Sequence, residues 1–210
     1  MTEPPLYEKN AKEQYETLGR FVCAFEEMVN ETRSACISIV QSMIAESTLL
    51  LHVIFNHQIL TAKPLFEIMR VMIAERLKET DADDKQHATF SDVLAQLATE
   101  YSDLTNKRNN LLHGTWFIGH PTTEDENSEN FIVLKYTGKK HGLGQLDLPQ
   151  SVTELRDLIS RCELARDWIS VIRRCVPKRG DLRIEDCFKD NGEAWELRPR
   201  RKWSSPETPP

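Results

Sequence analysis

The sequence predicts a mainly α protein, an up-and-down bundle of four to five helices with a small β-hairpin inserted before the last long helix. Three observations predict it. Long stretches repeat apolar residues at alternating spacings of three and four, the signature of amphipathic helices. β-prone residues gather between Thr115 and Leu148. A chain of 210 residues has material for one substantial core plus tails, but not for a second full domain. The expected organisation is a flexible arm at 1–10, a helical domain at 11–177 with the hairpin insertion at about 115–149, and a polar tail at 178–210.

Taken in order, Met1–Asn10 contains Pro4 and Pro5 and lacks the basic-then-apolar order of a signal peptide, so a short arm is expected. From Ala11 onward, Tyr15, Leu18, Phe21, Val22, Phe25, Met28 and Val29 mark one helical face. Cys36, Ile37, Val40, Met43 and Ile44 continue it past Asn30 and Thr32, which fits one long helix or two stacked ones. Leu49–Leu60 is the most apolar stretch, yet it carries His52, Asn56 and His57 and falls short of the roughly 20 apolar residues that span a bilayer. It reads as core helix, with no membrane association expected, and its histidines as hydrogen-bonded core or rim groups rather than ligands. Thr61 is placed to cap a helix with Pro64 in its first turn, where a missing N–H is tolerated. Leu65, Ile68, Met69, Met72, Ile73 and Leu77 carry that helix to about Glu79.

Asp81–Lys85 reads as a polar connection, because it lacks the glycine and distal glutamate of a calcium-binding loop. The next helix is expected from about Ser91, capped by Ser91 or Thr89, to Leu112. Thr115–Ile118 is β-prone, His120–Pro121 stops it, and Phe131–Thr137 reads as a strand, with a turn at Gly138 and a return strand within Gly142–Leu148. Ser151, with Glu154 three residues on, forms a capping box before a helix whose apolar face runs from Val152 to Ile172 and which Pro177 ends. Beyond Lys178 periodicity is lost. Arg198–Trp203 is a basic cluster ahead of a Ser/Pro-rich end, predicting a disordered tail; the sharper reading is a tail that holds RNA by charge and stacking.

The formal charge of −6 argues against a protein that coats nucleic acid, leaving room only for a local contact. Five cysteines, odd in number and widely spaced without a C-x-x-C pair, read as reduced thiols of a cytoplasmic protein. The six histidines show no H-E-x-x-H or other ligand spacing, so neither a metal site nor a cofactor is expected.

The chemistry concentrates at Asn106–Gly114. Phe90, Leu94, Leu97, Tyr101, Leu104, Arg108 and Leu111 form one seam, so Arg108 stands where a leucine is expected. A guanidinium that loses its water needs a partner: a carboxylate, a phosphate or a neighbouring subunit. Asn106, Asn109 and His113 share a second, narrow stripe, with Arg108 and His113 about 140° apart around the axis. The two can still converge, since arginine is long and His113 lies at the helix end, where Gly114 is a natural C-cap. Helix geometry alone favours the plainer reading, in which Arg108 pairs with a carboxylate on a neighbouring helix and His113 caps carbonyls.

The segment Arg108-Asn109-Asn110-Leu111-Leu112-His113 is an arginine, four residues and a histidine, with a polar residue directly after the arginine, late in an amphipathic helix. It resembles the signature of the HEPN (higher eukaryote and prokaryote nucleotide-binding) superfamily. The resemblance covers about ten residues in motif and about 11–176 in architecture. It implies a helical bundle that forms a homodimer with two such motifs facing across a cleft, and a metal-independent endoribonuclease in which Arg108, Asn109 and His113 act on RNA. It further implies a bacterial toxin–antitoxin or phage-defence setting, with any antitoxin a separate protein. Two alternatives stand beside it: an HEPN-like module that binds RNA or a nucleotide without chemistry, and a dimeric interaction protein in which Arg108 serves a salt bridge.

Overall fold

The structure, a computed structural model, describes residues 6–43, 54–55, 61–79, 82–117, 132–134, 136–139, 142–145, 151–176 and 182–199. Among the described residues four long helices make the bundle: α1 (Leu6–Met43), α2 (Ala62–Lys78), α3 (Asp84–Leu112) and α4 (Val152–Cys175). Between α3 and α4 lie β1 (Thr115–Phe117), β2 (Ile132–Leu134), β3 (Tyr136–Lys139) and β4 (Gly142–Gln145). After α4 come a one-turn helix α5 (Ile184–Cys187) and the strands β5 (Phe188–Asp190) and β6 (Trp195–Leu197). The mainly α bundle expected from periodicity is the fold.

The first helix is a single rod of 38 residues, about 57 Å long at 1.5 Å per residue. It stays continuous through Asn30 and Thr32 because the buried Thr32 satisfies its hydroxyl inside the helix, donating to the Met28 carbonyl at 3.0 Å. Its buried stripe, Phe21, Phe25, Met28, Val29, Cys36 and Ile39, follows the helical spacing. The helix also takes in Leu6–Asn10, a correction to the expected arm: Pro4 and Pro5 precede the first turn, and nothing from Leu6 to Asn10 breaks a helix. Residues 1–5 lie outside the described residues.

Ion pairs and ring contacts fix how the rods are laid together. Glu13–Arg156 at 2.6 Å, Glu27–Arg166 at 2.7 Å and Glu31–Arg173 at 3.3 Å climb α1 and α4 in the same direction, so these helices are parallel. Against α3 the order reverses. Glu26 meets Arg108 and Thr32 meets Tyr101 along α1, while Lys63 meets Asn106 and Phe66 stacks on Tyr101 along α2. The third helix therefore runs antiparallel to both. Arg161 of α4 ties to the same rod, bridging Glu100 at 2.7 Å and Asp103 at 2.7 Å. Tyr101 sits at the centre of this crossing, buried on the Phe66 ring with centroids 4.5 Å apart. Desolvation pushes its phenol well above the ordinary tyrosine range.

The second helix begins at Ala62 with Thr61 at the cap position, although the Thr61 side chain makes no capping hydrogen bond. The third starts at Asp84, not near Ser91. Asp83 is its N-cap, accepting from the Gln86 N–H at 2.7 Å, so Asp84–Lys85 forms the first turn rather than a loop. Thr89 lies inside the helix and donates to the Lys85 carbonyl at 3.0 Å. The fourth helix is capped as expected, Ser151 Oγ accepting from the Glu154 N–H at 3.1 Å. Of the apolar stretch Leu49–Leu60, only Ile54 and Phe55 are described, and Phe55 is buried; His52, Asn56 and His57 lie outside the described residues.

Among the described residues the insertion forms two antiparallel pairs instead of one hairpin. The first joins β1 to β2 with Trp116 opposite Val133; the second joins β3 to β4 with Gly138 opposite Leu143. Gly138 thus sits within a strand rather than opening the turn. The largest correction is at the C-terminal end, where 182–199 folds onto the bundle instead of remaining a disordered tail. Ile184, Cys187 and Phe188 are buried, and Phe188 meets Trp168 edge-on at 5.0 Å. The Asn191-Gly192 turn closes β5 on β6, with Gly192 at φ 89°, a conformation that favours glycine. Three buried apolar groups offset the polar composition that argued for disorder. Residues 200–210, including Arg200, Arg201, Lys202 and Trp203, lie outside the described residues.

Candidate functional site

The last two turns of α3 present the sequence motif at the rim of the bundle. Tyr101, Leu104 and Leu111 hold the core side of the helix, each buried. Arg108 follows the same seam, but only part of it enters. Its guanidinium lies 5.5 Å over the Phe25 ring, donates from Nη2 to Glu26 Oε1 at 3.1 Å and from Nη1 to Asn109 Oδ1 at 3.2 Å. Its Nε is buried without a hydrogen-bond partner among the described residues. The seam thus takes the aliphatic stem and one ring contact, while the fork faces outward: the Arg108 side chain is 27% exposed and Glu26 45%.

That arrangement answers the question the sequence raised. Arg108 has a carboxylate partner on a neighbouring helix within the same chain, so no external phosphate is needed to account for its position. The pair is half in water, where such contacts contribute modestly.

His113 occupies the C-cap, past the last helical residue, with φ −105° and ψ 9°. Its backbone N–H serves the Asn109 carbonyl at 3.2 Å and its side chain is exposed. Gly114 follows, closing the turn through the Leu111 carbonyl at 3.3 Å. Asn109 is exposed and linked to Arg108, and Asn106 accepts from Lys63 Nζ at 2.9 Å. Arg108 and Asn109 are therefore joined directly. His113 stands one turn further along, on the same open end.

No protein-family model, curated protein or solved structure matches the chain.

Two neighbours were not singled out by sequence. Glu26 lies at the edge of the α1 stripe beside Glu27, and nothing in spacing distinguishes the acid that faces Arg108 from the one that faces Arg166. Lys63 precedes Pro64 in the first turn of α2 and reaches Asn106 only because α2 and α3 run antiparallel there. Among the described residues, Lys63, Lys107 and Arg108 set three cations against Glu26 at this end of α3, inside a chain whose formal charge is −6.

Proposed function

We propose that the chain is a metal-independent endoribonuclease of the HEPN type, acting as a homodimer in a bacterial toxin–antitoxin or phage-defence setting, with a separate protein as antitoxin. The observation that carries this reading is the exposed His113 imidazole one turn beyond a partly exposed, outward-facing Arg108 fork already joined to Asn109, at a locally basic helix end. The reaction suits these groups. A ribose 2′-OH attacks the adjacent phosphorus as a base removes its proton; the P–O5′ bond breaks and an acid protonates the departing 5′-oxygen. An imidazole near neutral pH serves either role, and His113 from each of two protomers supplies both. Arg108 binds the non-bridging oxygens through its fork and stabilises the charge that builds on them, while Asn109 orients Arg108 or the ribose. The products are a 2′,3′-cyclic phosphate and a 5′-hydroxyl.

The test is cleavage of RNA by the purified chain in EDTA, with end-group analysis. The parent is expected to yield cyclic phosphate ends, and Arg108→Ala and His113→Ala to lose at least a hundredfold, the scale of removing a general acid–base or an anion-stabilising group. Equal cleavage by parent and variants would place the activity elsewhere.

A specific observation favours a second reading. The Arg108–Glu26 pair already accounts for the guanidinium, as expected of an interaction module in which that end of α3 supports a protein contact. A parent chain that dimerises but leaves RNA intact, and whose dimer is weakened by Arg108→Ala, supports this reading over the nuclease.

A further inference from the structure

Cys175, the last residue of α4, and Cys187, the last residue of α5, are both buried, and their sulfurs are 3.6 Å apart. They are twelve positions apart in sequence and join different parts of the fold: Cys175 belongs to the long bundle helix, and Cys187 to the small C-terminal unit that packs on it. The sulfur separation exceeds the disulfide length by roughly 1.5 Å, the distance by which the two sulfurs must approach to bond. The other cysteines are not so disposed. Cys36 and Cys162 are buried singly, with burial pushing each thiol up to about 12, and Cys23 is exposed.

We infer that Cys175 and Cys187 are a peroxide-responsive thiol pair, which closes to a disulfide that clamps the C-terminal unit onto the bundle. Their roles differ. Cys175 donates its S–H to the Cys187 sulfur. That hydrogen bond, with help from the positive charges of Arg174 and Arg198 and against burial and Asp186, holds the Cys187 thiol below its ordinary value, while Cys175 is held far above. Cys187 is also the more accessible of the two, 6% exposed against 1%, so it is the attacking sulfur and Cys175 the resolving one.

The chemistry balances with hydrogen peroxide as the oxidant. The Cys187 thiolate attacks one peroxide oxygen; the O–O bond breaks, giving a sulfenic acid and hydroxide, which leaves as water. The Cys175 sulfur then attacks the sulfenyl sulfur, the S–S bond forms, and the hydroxyl departs with the Cys175 proton as a second water. Two thiols are oxidised and one peroxide is reduced to two waters. Access does not require the unit to leave the core: Cys187 lies at the edge, more exposed than Cys175 and next to the short β5–β6 ribbon, and a small local fluctuation there admits a molecule of peroxide size.

The experiment uses the full chain with Cys23→Ser, so that the exposed thiol forms no intermolecular bridges. The protein is treated with a small excess of hydrogen peroxide, quenched, unfolded in an alkylating reagent and mapped by mass spectrometry without reductant. A cross-linked peptide joining Cys175 to Cys187, reversed by dithiothreitol, with Cys36 and Cys162 still alkylated, is the expected result. The oxidised form should melt several degrees higher than the reduced form, as for a cross-link closing a short loop. A further Cys187→Ser change should abolish both effects; if that variant does not fold, the mapping of the parent decides alone. Full alkylation of both cysteines after peroxide, or over-oxidation of Cys187 with Cys175 left alkylated, overturns the inference.

Discussion

Arg108 shows how one charged side chain can occupy an apolar seam without being a buried charge. Its stem replaces a leucine, its fork meets Glu26, and the Phe25 ring lies beneath it. The ion pair is too exposed to stabilise the fold strongly, and the ring contact adds a comparable small amount, so Arg108→Ala should cost about 1 kcal/mol in urea unfolding. The exposed His113 should be replaceable by alanine with a change under about 0.5 kcal/mol. Loss of RNA cleavage on His113→Ala at unchanged stability would then be an effect on the reaction and not on folding. Glu26 competes with any phosphate for the same fork. Glu26→Gln should therefore tighten RNA binding several-fold at low salt and steepen its salt dependence; unchanged affinity would mean that Arg108 does not touch the phosphate. The sequence made Arg108 conspicuous because a cation interrupted a repeat. It could not name Glu26, since two adjacent glutamates on α1 differ only in which neighbour each one faces.

Among the elements, caps separate what periodicity found from what it missed. Ser151 and Glu154 stood directly before an apolar repeat, and the start of α4 was legible to the residue. Asp83 stands before a solvent-exposed first turn, Asp84 and Lys85, with no apolar residue to mark it, so the apolar repeat reveals α3 only from Thr89 and Phe90, well inside the helix. The Asp83 carboxyl is held below its ordinary value by the Gln86 N–H and then by Arg183. A carboxyl with a depressed folded-state pKa contributes stability above its unfolded value and loses it as pH falls through the folded one. Asp83→Ala should therefore lower Tm at pH 7, and the difference from the parent should shrink as pH falls below about 4. A difference that persists undiminished at lower pH would assign the loss to something other than the ionised cap. The C-terminal ribbon was missed for a related reason: Phe188-Lys189-Asp190 and Trp195-Glu196-Leu197 are too short for periodicity to register, although the Asn191-Gly192 pair between them is a turn signal.

At the scale of the whole molecule, one core joins the four long helices and the C-terminal unit, and no helix among the described residues is long and apolar enough to cross a membrane. Phe188, fully buried against Trp168, tests whether that unit is part of the fold or an appendage. Phe188→Ala should cost about 3–5 kcal/mol and destabilise the entire domain in a single cooperative transition. A separate early transition confined to the ribbon would instead make the unit an independent flap. The bundle class was legible because every long helix repeats its apolar face many times. Helix pairing was not, because it depends on which charged edges meet.

The most extensive helix contact joins the first rod to the last. Glu13, Glu27 and Glu31 wait for arginines some 140 residues downstream, so a nascent chain leaves the α4-facing side of α1 uncovered until Val152–Cys175 has been made. Consolidation is then a late, near-complete event, slower than for bundles assembled from adjacent hairpins. Fragments ending before Val152 should be aggregation-prone, a hazard during synthesis that the finished molecule no longer displays.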